Sequence, residues 1–160
     1  EHFVGKDRMN DAIQLHYKVY AEDHAAKNSF LYDGIPETLQ QLKAHGYTLA
    51  VASSKYEPHA VQSLEYFGIL KYFDYVYGQT EQRGYKIEVL RQLITDHNWD
   101  KTECLMIGDT FYDAEGAAAN GVDFLAVTYG FGTREELVQC APDCIVDDVP
   151  ALRDILLRGL

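Results

Sequence analysis

The stretch LMIGDTFYDAEGAAANG, residues 105–121, decides the fold of this chain. Its apolar run stops at Gly108 and Asp109, and a second acid, Asp113, follows four residues after the first. A segment made almost wholly of small residues comes next, and it reads as a helix that packs closely on its neighbours. An apolar strand followed by such a helix is typical of a sheet that is covered on both faces. The question is then why a buried strand would end on two carboxylates.

Strands and helices alternate along the chain from residue 36 onward. The predicted strands are YTLAVA (47–52), FDYVYG (73–78), ECLMIG (103–108), DFLAVTYG (123–130) and CIVDD (144–148). The predicted helices are PETLQQLKAH (36–45), PHAVQSLEYFG (58–68), KIEVLRQLITDHN (86–98), DAEGAAANG (113–121), TREELVQ (133–139) and VPALRDILLRG (149–159). Short apolar strands joined by helices predict an α/β fold with a doubly wound, Rossmann-like parallel sheet.

The amino-acid composition argues against some classes of binding partner. The chain has 160 residues, 47% of them hydrophobic, and a formal net charge of −11. This charge argues against nucleic acid or an anionic membrane as a partner, and an anionic substrate would need a local cation. The three cysteines show no metal-ligand spacing, which predicts reduced thiols in a cytoplasmic protein. No apolar run approaches the length needed to span a membrane.

The amino-terminal region differs from the rest of the chain. The sequence begins at EHFVGKDRMN without an initiator methionine, so we expect it to be a piece of something longer. Residues 6–27 carry apolar and aromatic residues at three- and four-residue intervals, which predicts an amphipathic helix or two short ones. His16, Tyr17, Tyr20 and His24 fall on this spacing, where such side chains belong to a core more often than to a pocket.

The residues that directly follow each strand carry the chemistry, because sheets of this kind place their sites at the carboxyl ends of the strands. Ser53 and Ser54 follow the first strand, and Lys86 begins the helix after the second. Asp109 and Asp113 follow the third strand, and TYGFGT (128–133) continues from the fourth.

Each of these residues also has a purely structural interpretation. The serines suit a turn, and Thr110 with Asp113 suits a helix capping box, as does Thr133 with Glu136. Lys86 could be solvated, although a cation in a first helical turn opposes the helix dipole. A cap does not explain Asp109. Two converging carboxylates repel each other, and a divalent cation with hard oxygen ligands, Mg²⁺, would remove that conflict.

The order of these residues resembles the haloacid dehalogenase (HAD) superfamily of phosphohydrolases. A hydroxyl follows one strand, a lysine opens a later helix, and G-D-x-x-x-D follows the next strand. The stretch LMIGDTFYDAEGAAANGVDFLAVTYGFGTREEL (105–137) is similar to the phosphoglycolate phosphatase-like branch. The resemblance implies a partial helical cap at residues 1–32 and an α/β core at 33–160. It also favours a phosphatase over a dehalogenase, whose branch has serine and asparagine in place of this GDT.

The resemblance assigns a role to each site residue. Ser53, helped by the backbone at Ser54, would bind the phosphoryl group, and Lys86 would neutralise phosphate charge. Asp109 would bind Mg²⁺, and Asp113 would bind the ion or orient its ligands. The catalytic set would be Ser53, Lys86 and Asp109, and the substrate a small phosphorylated metabolite.

One part of the family pattern is missing. The family's nucleophile is the first aspartate of a D-x-D-G-T motif on the first, central strand, and this sequence has no such motif. A covalent mechanism without its nucleophile has no first step, so we expect the chain alone to be inactive. We also predict that HFVG (2–5) does not replace the central strand. The expected partner is then the missing amino-terminal segment or another chain.

Other functions remain open. A non-catalytic remnant could still bind phosphate, a metal or a partner. A phosphoacceptor signalling domain uses similar residues, but there the acid precedes the hydroxyl and the lysine comes last. The sequence contains neither the G-x-S-x-G motif of serine hydrolases nor the Walker glycine loop of nucleotide-binding proteins. Phosphoglycolate, another small organic phosphate and a nucleoside monophosphate all remain open as the substrate.

Overall fold

A computed structural model describes residues 29–158 of the chain. The strands are β1 (Ala50–Tyr56), β2 (Tyr75–Gln79), β3 (Leu105–Gly108), β4 (Asp123–Val127) and β5 (Cys144–Val146). The helices are α1 (Ile35–Ala44), α2 (Glu57–Tyr66), α3 (Lys86–His97), α4 (Phe111–Asn120), α5 (Arg134–Gln139) and α6 (Val149–Arg158). Two short 3₁₀ turns, Leu70–Tyr72 and Lys101–Glu103, were not predicted. The predicted helices at residues 6–27 lie outside the described residues.

Local sequence sets most of the helix ends. Pro36 lies in the first turn of α1, and Gly46 ends that segment with a positive φ of 85°. A proline has no N–H to lose in a first turn, and a glycine adopts the left-handed conformation without strain. The Thr133–Glu136 capping box of α5 is present as predicted, with Thr133 N–H donating to Glu136 Oε2 at 2.9 Å.

All strand pairs in the described residues are parallel, which confirms the predicted α/β class. β1 pairs with β2, and β4 pairs with β3 on one side and β5 on the other. β4 is buried on both faces because its side chains alternate. Phe124 and Ala126 belong to a core with residues of α3, α4 and α5, whereas Leu125 and Val127 pack with Val146 and α6.

The first strand lies further along the chain than predicted. We expected residues 47–52, whereas β1 spans Ala50–Tyr56. Residues 47–49 precede the strand and bond to its surroundings. Lys43 Nζ donates to Tyr47 O, Leu49 N–H donates to Asp74 Oδ2, and Asp74 N–H donates to Leu49 O at 2.8 Å. At the other end the register with β2 is irregular between Ala52 and Tyr56. Ser53 and Ser54 therefore lie within a bulged strand and not after it.

The strands form two separate sheets in the part of the chain that the structure describes. β1 and β3 each pair on one side, and neither pairs with the other. Helix α3 packs against β1, β2 and α4, so it joins the two sheets. In the described residues no strand pairs with both β1 and β3, and because residues 1–28 lie outside them, the absence of a central strand stays a prediction. Residues 2–5 lie outside the described residues, so our prediction for them stays untested.

Two further expectations concern the whole chain. Cys104, Cys140 and Cys144 are free thiols, as predicted. Within residues 29–158, no helix combines the length and the apolar character needed to cross a lipid bilayer.

Candidate active site

Lys86, Asp109 and Asp113 converge where β3 ends and α3 begins, beside Ala52 within β1. Lys86 is the first residue of α3 and extends its ammonium group towards both sheets. Its Nζ donates to the carbonyl oxygen of Ala52 in β1 at 2.7 Å, and it lies 2.8 Å from Asp113 Oδ1 in α4. These contacts explain why a cation is tolerated in the first turn of a helix, against the helix dipole.

The Lys86–Asp113 ion pair is largely withdrawn from solvent. The side chain of Lys86 is 12% exposed, and that of Asp113 is 7% exposed. Charges at such depth are stable only when they are paired and hydrogen-bonded. In the described residues the repulsion expected between Asp109 and Asp113 is therefore relieved by the lysine.

Asp113 also caps helix α4. Its Oδ2 accepts hydrogen bonds from Thr110 Oγ1 at 2.7 Å, from Thr110 N–H at 3.0 Å and from Asp109 N–H at 3.2 Å. The predicted Thr110–Asp113 capping box is present. Gly108 lies so close that a Cβ at this position would overlap the Asp113 carboxyl group. Asp113 thus orients the backbone of Asp109, in addition to pairing with Lys86.

Asp109 is held by the loop after β4. Its Oδ2 accepts a hydrogen bond from Phe131 N–H at 2.7 Å, and its carbonyl oxygen accepts one from Gly132 N–H at 3.0 Å. A Cβ at either Gly130 or Gly132 would overlap Asp109. The TYGFGT segment was noted in the sequence only for following a strand. The two glycines flanking one residue were the available signal for this close approach.

Tyr129 is part of this loop, and the pKa of its phenol group is raised. Burial, with further contributions from Tyr32, Asp109 and Asp148, raises the pKa of Tyr129 to about 12. Its ring meets that of Tyr32 edge-on, with ring centroids 5.0 Å apart. The phenol therefore keeps its proton, and remains a hydrogen-bond donor, across the physiological range.

The two serines have different surroundings. Ser53 is half-buried next to Ala52, the residue that binds Lys86, and its Oγ accepts a hydrogen bond from Lys55 N–H at 3.1 Å. Ser54 is exposed. The local bond fits the turn-forming interpretation of Ser53. It does not conflict with a role in phosphate binding, and the roles of both serines stay predictions.

A metal ion at this site would need carboxylate oxygens that are not already engaged in hydrogen bonds. In residues 29–158 no group of three or more histidine, cysteine, aspartate or glutamate side chains is arranged for a metal. Asp109 uses Oδ2 for Phe131, and within the described residues its other carboxylate oxygen accepts no hydrogen bond. Mg²⁺ is commonly bound by one or two carboxylates, with water and substrate phosphate completing its shell. Asp109 fits such a site, with Asp113 as an orienting neighbour.

Comparison with known proteins identifies the family. A family model described as haloacid dehalogenase-like hydrolase matches residues 1–127. The chain belongs to the HAD-like hydrolase family. A crystal structure of a predicted phosphatase from Clostridium acetobutylicum has the same fold, with a TM-score of 0.89 and 32% identity. The match covers 99% of this chain and 74% of the other.

Curated relatives of this HAD-like chain have several names. A 5'-nucleotidase of Pseudomonas aeruginosa is 33% identical, and the match covers 98% of this chain and 77% of the relative. The tyrosine-protein kinase PtkA of Mycobacterium tuberculosis is 36% identical, with 81% of this chain and 45% of the relative covered. A phosphoglycolate phosphatase of Vibrio vulnificus is 33% identical, with 82% and 58% covered. The chain thus spans about half the length of PtkA and of the Vibrio vulnificus phosphoglycolate phosphatase.

Proposed function

We propose that this HAD-like chain is the larger part of a Mg²⁺-dependent phosphomonoester hydrolase that acts on a small phosphorylated metabolite. The observation that carries the proposal is the position of Lys86. Its ammonium group lies between Ala52 within β1 and Asp113, with Asp109 four residues before Asp113. A nucleotidase and a phosphoglycolate phosphatase among the relatives support phosphomonoester chemistry.

Each residue of the site would have a separate role in binding and orienting phosphate. Lys86 supplies positive charge at the site of a chain whose net charge is −11, and Ser53 with the backbone of Ser54 would donate hydrogen bonds to the phosphoryl oxygens. Positioning and charge stabilisation of this kind contribute most of the catalysis in phosphoryl transfer. Asp109 would hold Mg²⁺, which supplies further charge neutralisation when bound. Asp113 keeps both Lys86 and Asp109 in place.

We further propose that the chain alone binds phosphate esters but turns them over poorly. It lacks the D-x-D-G-T motif that carries the family's nucleophile. The partner that would complete the site is a segment with this motif, from the same gene or another chain. A cytoplasmic location and the lack of a nucleic-acid or membrane partner belong to the same proposal. The free cysteines support the location, and the net charge of −11 argues against those partners.

The first experiment is Mg²⁺-dependent hydrolysis of p-nitrophenyl phosphate by the 160-residue chain, beside its Asp109→Asn variant. We expect no turnover from a preparation that is shown to be folded. Turnover that the variant loses would mean that the chain contains a nucleophile that we have not identified.

A second titration tests the metal site directly. Asp109→Asn should abolish Mg²⁺ binding, measured by calorimetry, while changing the fold little, because an amide oxygen can still accept the Phe131 hydrogen bond. Asp123→Asn is a matched control, since Asp123 is exposed at the opposite end of β4. Unchanged Mg²⁺ affinity in Asp109→Asn would rule out Asp109 as the ligand.

The alternative is a non-catalytic remnant that binds phosphate, metal or a partner chain. The absence of the nucleophile motif favours it. The discriminating observation is whether the gene encodes an upstream D-x-D-G-T segment. If it does not, and if no second chain restores turnover, binding is the function of this protein.

A further inference from the structure

Phe131 combines a fixed backbone with an exposed side chain. Its side chain is 96% exposed, whereas Phe124 in the neighbouring strand is 5% exposed. Its N–H donates to Asp109 Oδ2 at 2.7 Å, and glycines that pack directly on Asp109 lie on both sides of it. The chain therefore presents a phenyl ring to solvent from the backbone position nearest to the Asp109 carboxylate.

Folding does not account for this ring. A side chain with this exposure buries almost no apolar surface, so it contributes little to stability. The hydrogen bond to Asp109 uses only the backbone N–H, which any residue except proline could supply. A phenylalanine at this position thus points to a ligand that binds beside Asp109.

Two more exposed rings follow Asp109 along the chain. Phe111 is 58% exposed and Tyr112 is 64% exposed, with ring centroids 6.0 Å apart. They lie two and three residues after Asp109, in the first turn of α4. Three exposed rings therefore belong to residues that follow Asp109 closely in the chain or that hydrogen-bond to it.

We propose that Phe131 is a specificity-determining residue whose ring stacks on a planar aromatic leaving group of the phosphomonoester. The inference rests on the proposed function, since Lys86 and Asp109 would hold the phosphate end of the same molecule. Stacking on the Phe131 ring would favour aryl and nucleoside phosphates over aliphatic phosphates such as phosphoglycolate. Aromatic faces attract one another beyond the effect of apolar contact, and a ring on a fixed backbone loses little conformational freedom on binding.

The test compares two phosphate esters of similar size and charge. Phenyl phosphate carries a planar aromatic ring, and cyclohexyl phosphate carries a puckered aliphatic one. Their dissociation constants are measured by calorimetry in the presence of Mg²⁺ for the full 160-residue chain and for Phe131→Ala, Phe131→Leu and Phe131→Trp. Tyr66→Ala is the matched control, because Tyr66 is 56% exposed at the end of α2 and its described ring contact is with Phe67.

The expected result is tighter binding of phenyl phosphate than of cyclohexyl phosphate by roughly 2- to 12-fold, the gain of an aromatic pair beyond apolar contact. Phe131→Ala and Phe131→Leu should lose this preference, while Phe131→Trp and Tyr66→Ala should keep it. The affinity for inorganic phosphate should stay the same in all the variants.

Different failures have different meanings. If both esters bind and Phe131→Ala keeps the preference or weakens both equally, the stacking role is wrong and the proposed function stands. If inorganic phosphate and both esters fail to bind the unaltered chain, the proposed function is wrong, and the inference that rests on it is wrong as well.

Discussion

Lys86 and Asp113 form the most buried ion pair that joins two elements of the site, and Lys43 and Asp74 form a comparable pair at the surface. The second pair has N···O at 2.6 Å, but its side chains are 33% and 36% exposed. Removing one member of a buried pair leaves an uncompensated charge, which costs far more than losing a solvated pair. The two lysines are therefore a natural comparison.

Lys86→Met should destabilise the fold by roughly 3–5 kcal/mol, because it leaves the Asp113 carboxylate buried without its counter-ion. Lys43→Met should cost about 1 kcal/mol or less. Urea unfolding monitored by circular dichroism measures both. Adding Asp113→Asn to Lys86→Met should recover part of the loss. Equal costs for the two lysine variants would contradict a buried, energetically important pair.

Tyr129 predicts how stability changes at alkaline pH. Burial raises the pKa of this phenol from 10.0 to about 12 in the folded protein. Between these values the unfolded chain loses the proton and the folded chain keeps it, so the contribution of Tyr129 to stability falls as pH rises. Tyr129→Phe removes this contribution. The free energy of unfolding of Tyr129→Phe minus that of the unaltered protein should be constant below pH 10. Above pH 10 this difference should increase, because only the unaltered protein loses stability through Tyr129. A constant difference up to pH 11.5 would refute the assignment.

At the scale of elements, the contact between β3 and α4 depends on Gly108. A Cβ there would overlap the Asp113 carboxyl group, whereas a Cβ at Gly84 would meet nothing within 4 Å. Gly108→Ala should therefore destabilise the fold by about 1–3 kcal/mol, the usual cost of overpacking. Gly84→Ala should be neutral or slightly stabilising, because Gly84 has no positive φ that requires glycine. Thermal unfolding of both variants checks this, and a stable Gly108→Ala protein would show that α4 can move away.

Sequence was sufficient for elements whose ends are set by local chemistry. Pro36 and Gly46 predicted the ends of α1, and Thr133 with Glu136 predicted the start of α5. The bounds of β1 were wrong because they depend on Asp74 and on the β2 register, contacts between residues far apart in the chain. The candidate site was predicted as a set of residues, but apart from the Thr110–Asp113 capping box its internal bonds were not. The Lys86 contact with Ala52 has no local signal, and the contact of Gly132 with Asp109 is indicated only by the two glycines around Phe131.

At the scale of the molecule, the main feature is the separation between the β1–β2 sheet and the β3–β4–β5 sheet. In residues 29–158, α3 and the Lys86 side chain connect the two. Within residues 29–158, β1 pairs with β2 alone and β3 pairs with β4 alone, so each can accept one more parallel strand. Ile107 in β3 is 37% exposed, which is high for a strand of a sheet covered on both faces.

A peptide that carries an apolar run followed by D-x-D-G-T should bind this chain and restore phosphatase activity. Hydrogen exchange should show new protection at amides of β1 and β3, and turnover of p-nitrophenyl phosphate should depend on Asp109. A peptide whose first aspartate is replaced by asparagine should give the same protection without turnover. Turnover with this control peptide, or protection confined to other strands, would contradict the proposed position of the missing segment.

The two glycines that rest on Asp109 have a consequence for how this protein could diversify. Gly130 and Gly132 fix the path of the backbone, and the hydrogen bond to the carboxylate comes from the amide of residue 131 and not from its side chain. A point mutation at residue 131 to any residue except proline therefore keeps the hydrogen bond to the Asp109 carboxylate. Evolution, or a saturation library at this one codon, could change which substrate is accepted without rebuilding the chemistry beneath it.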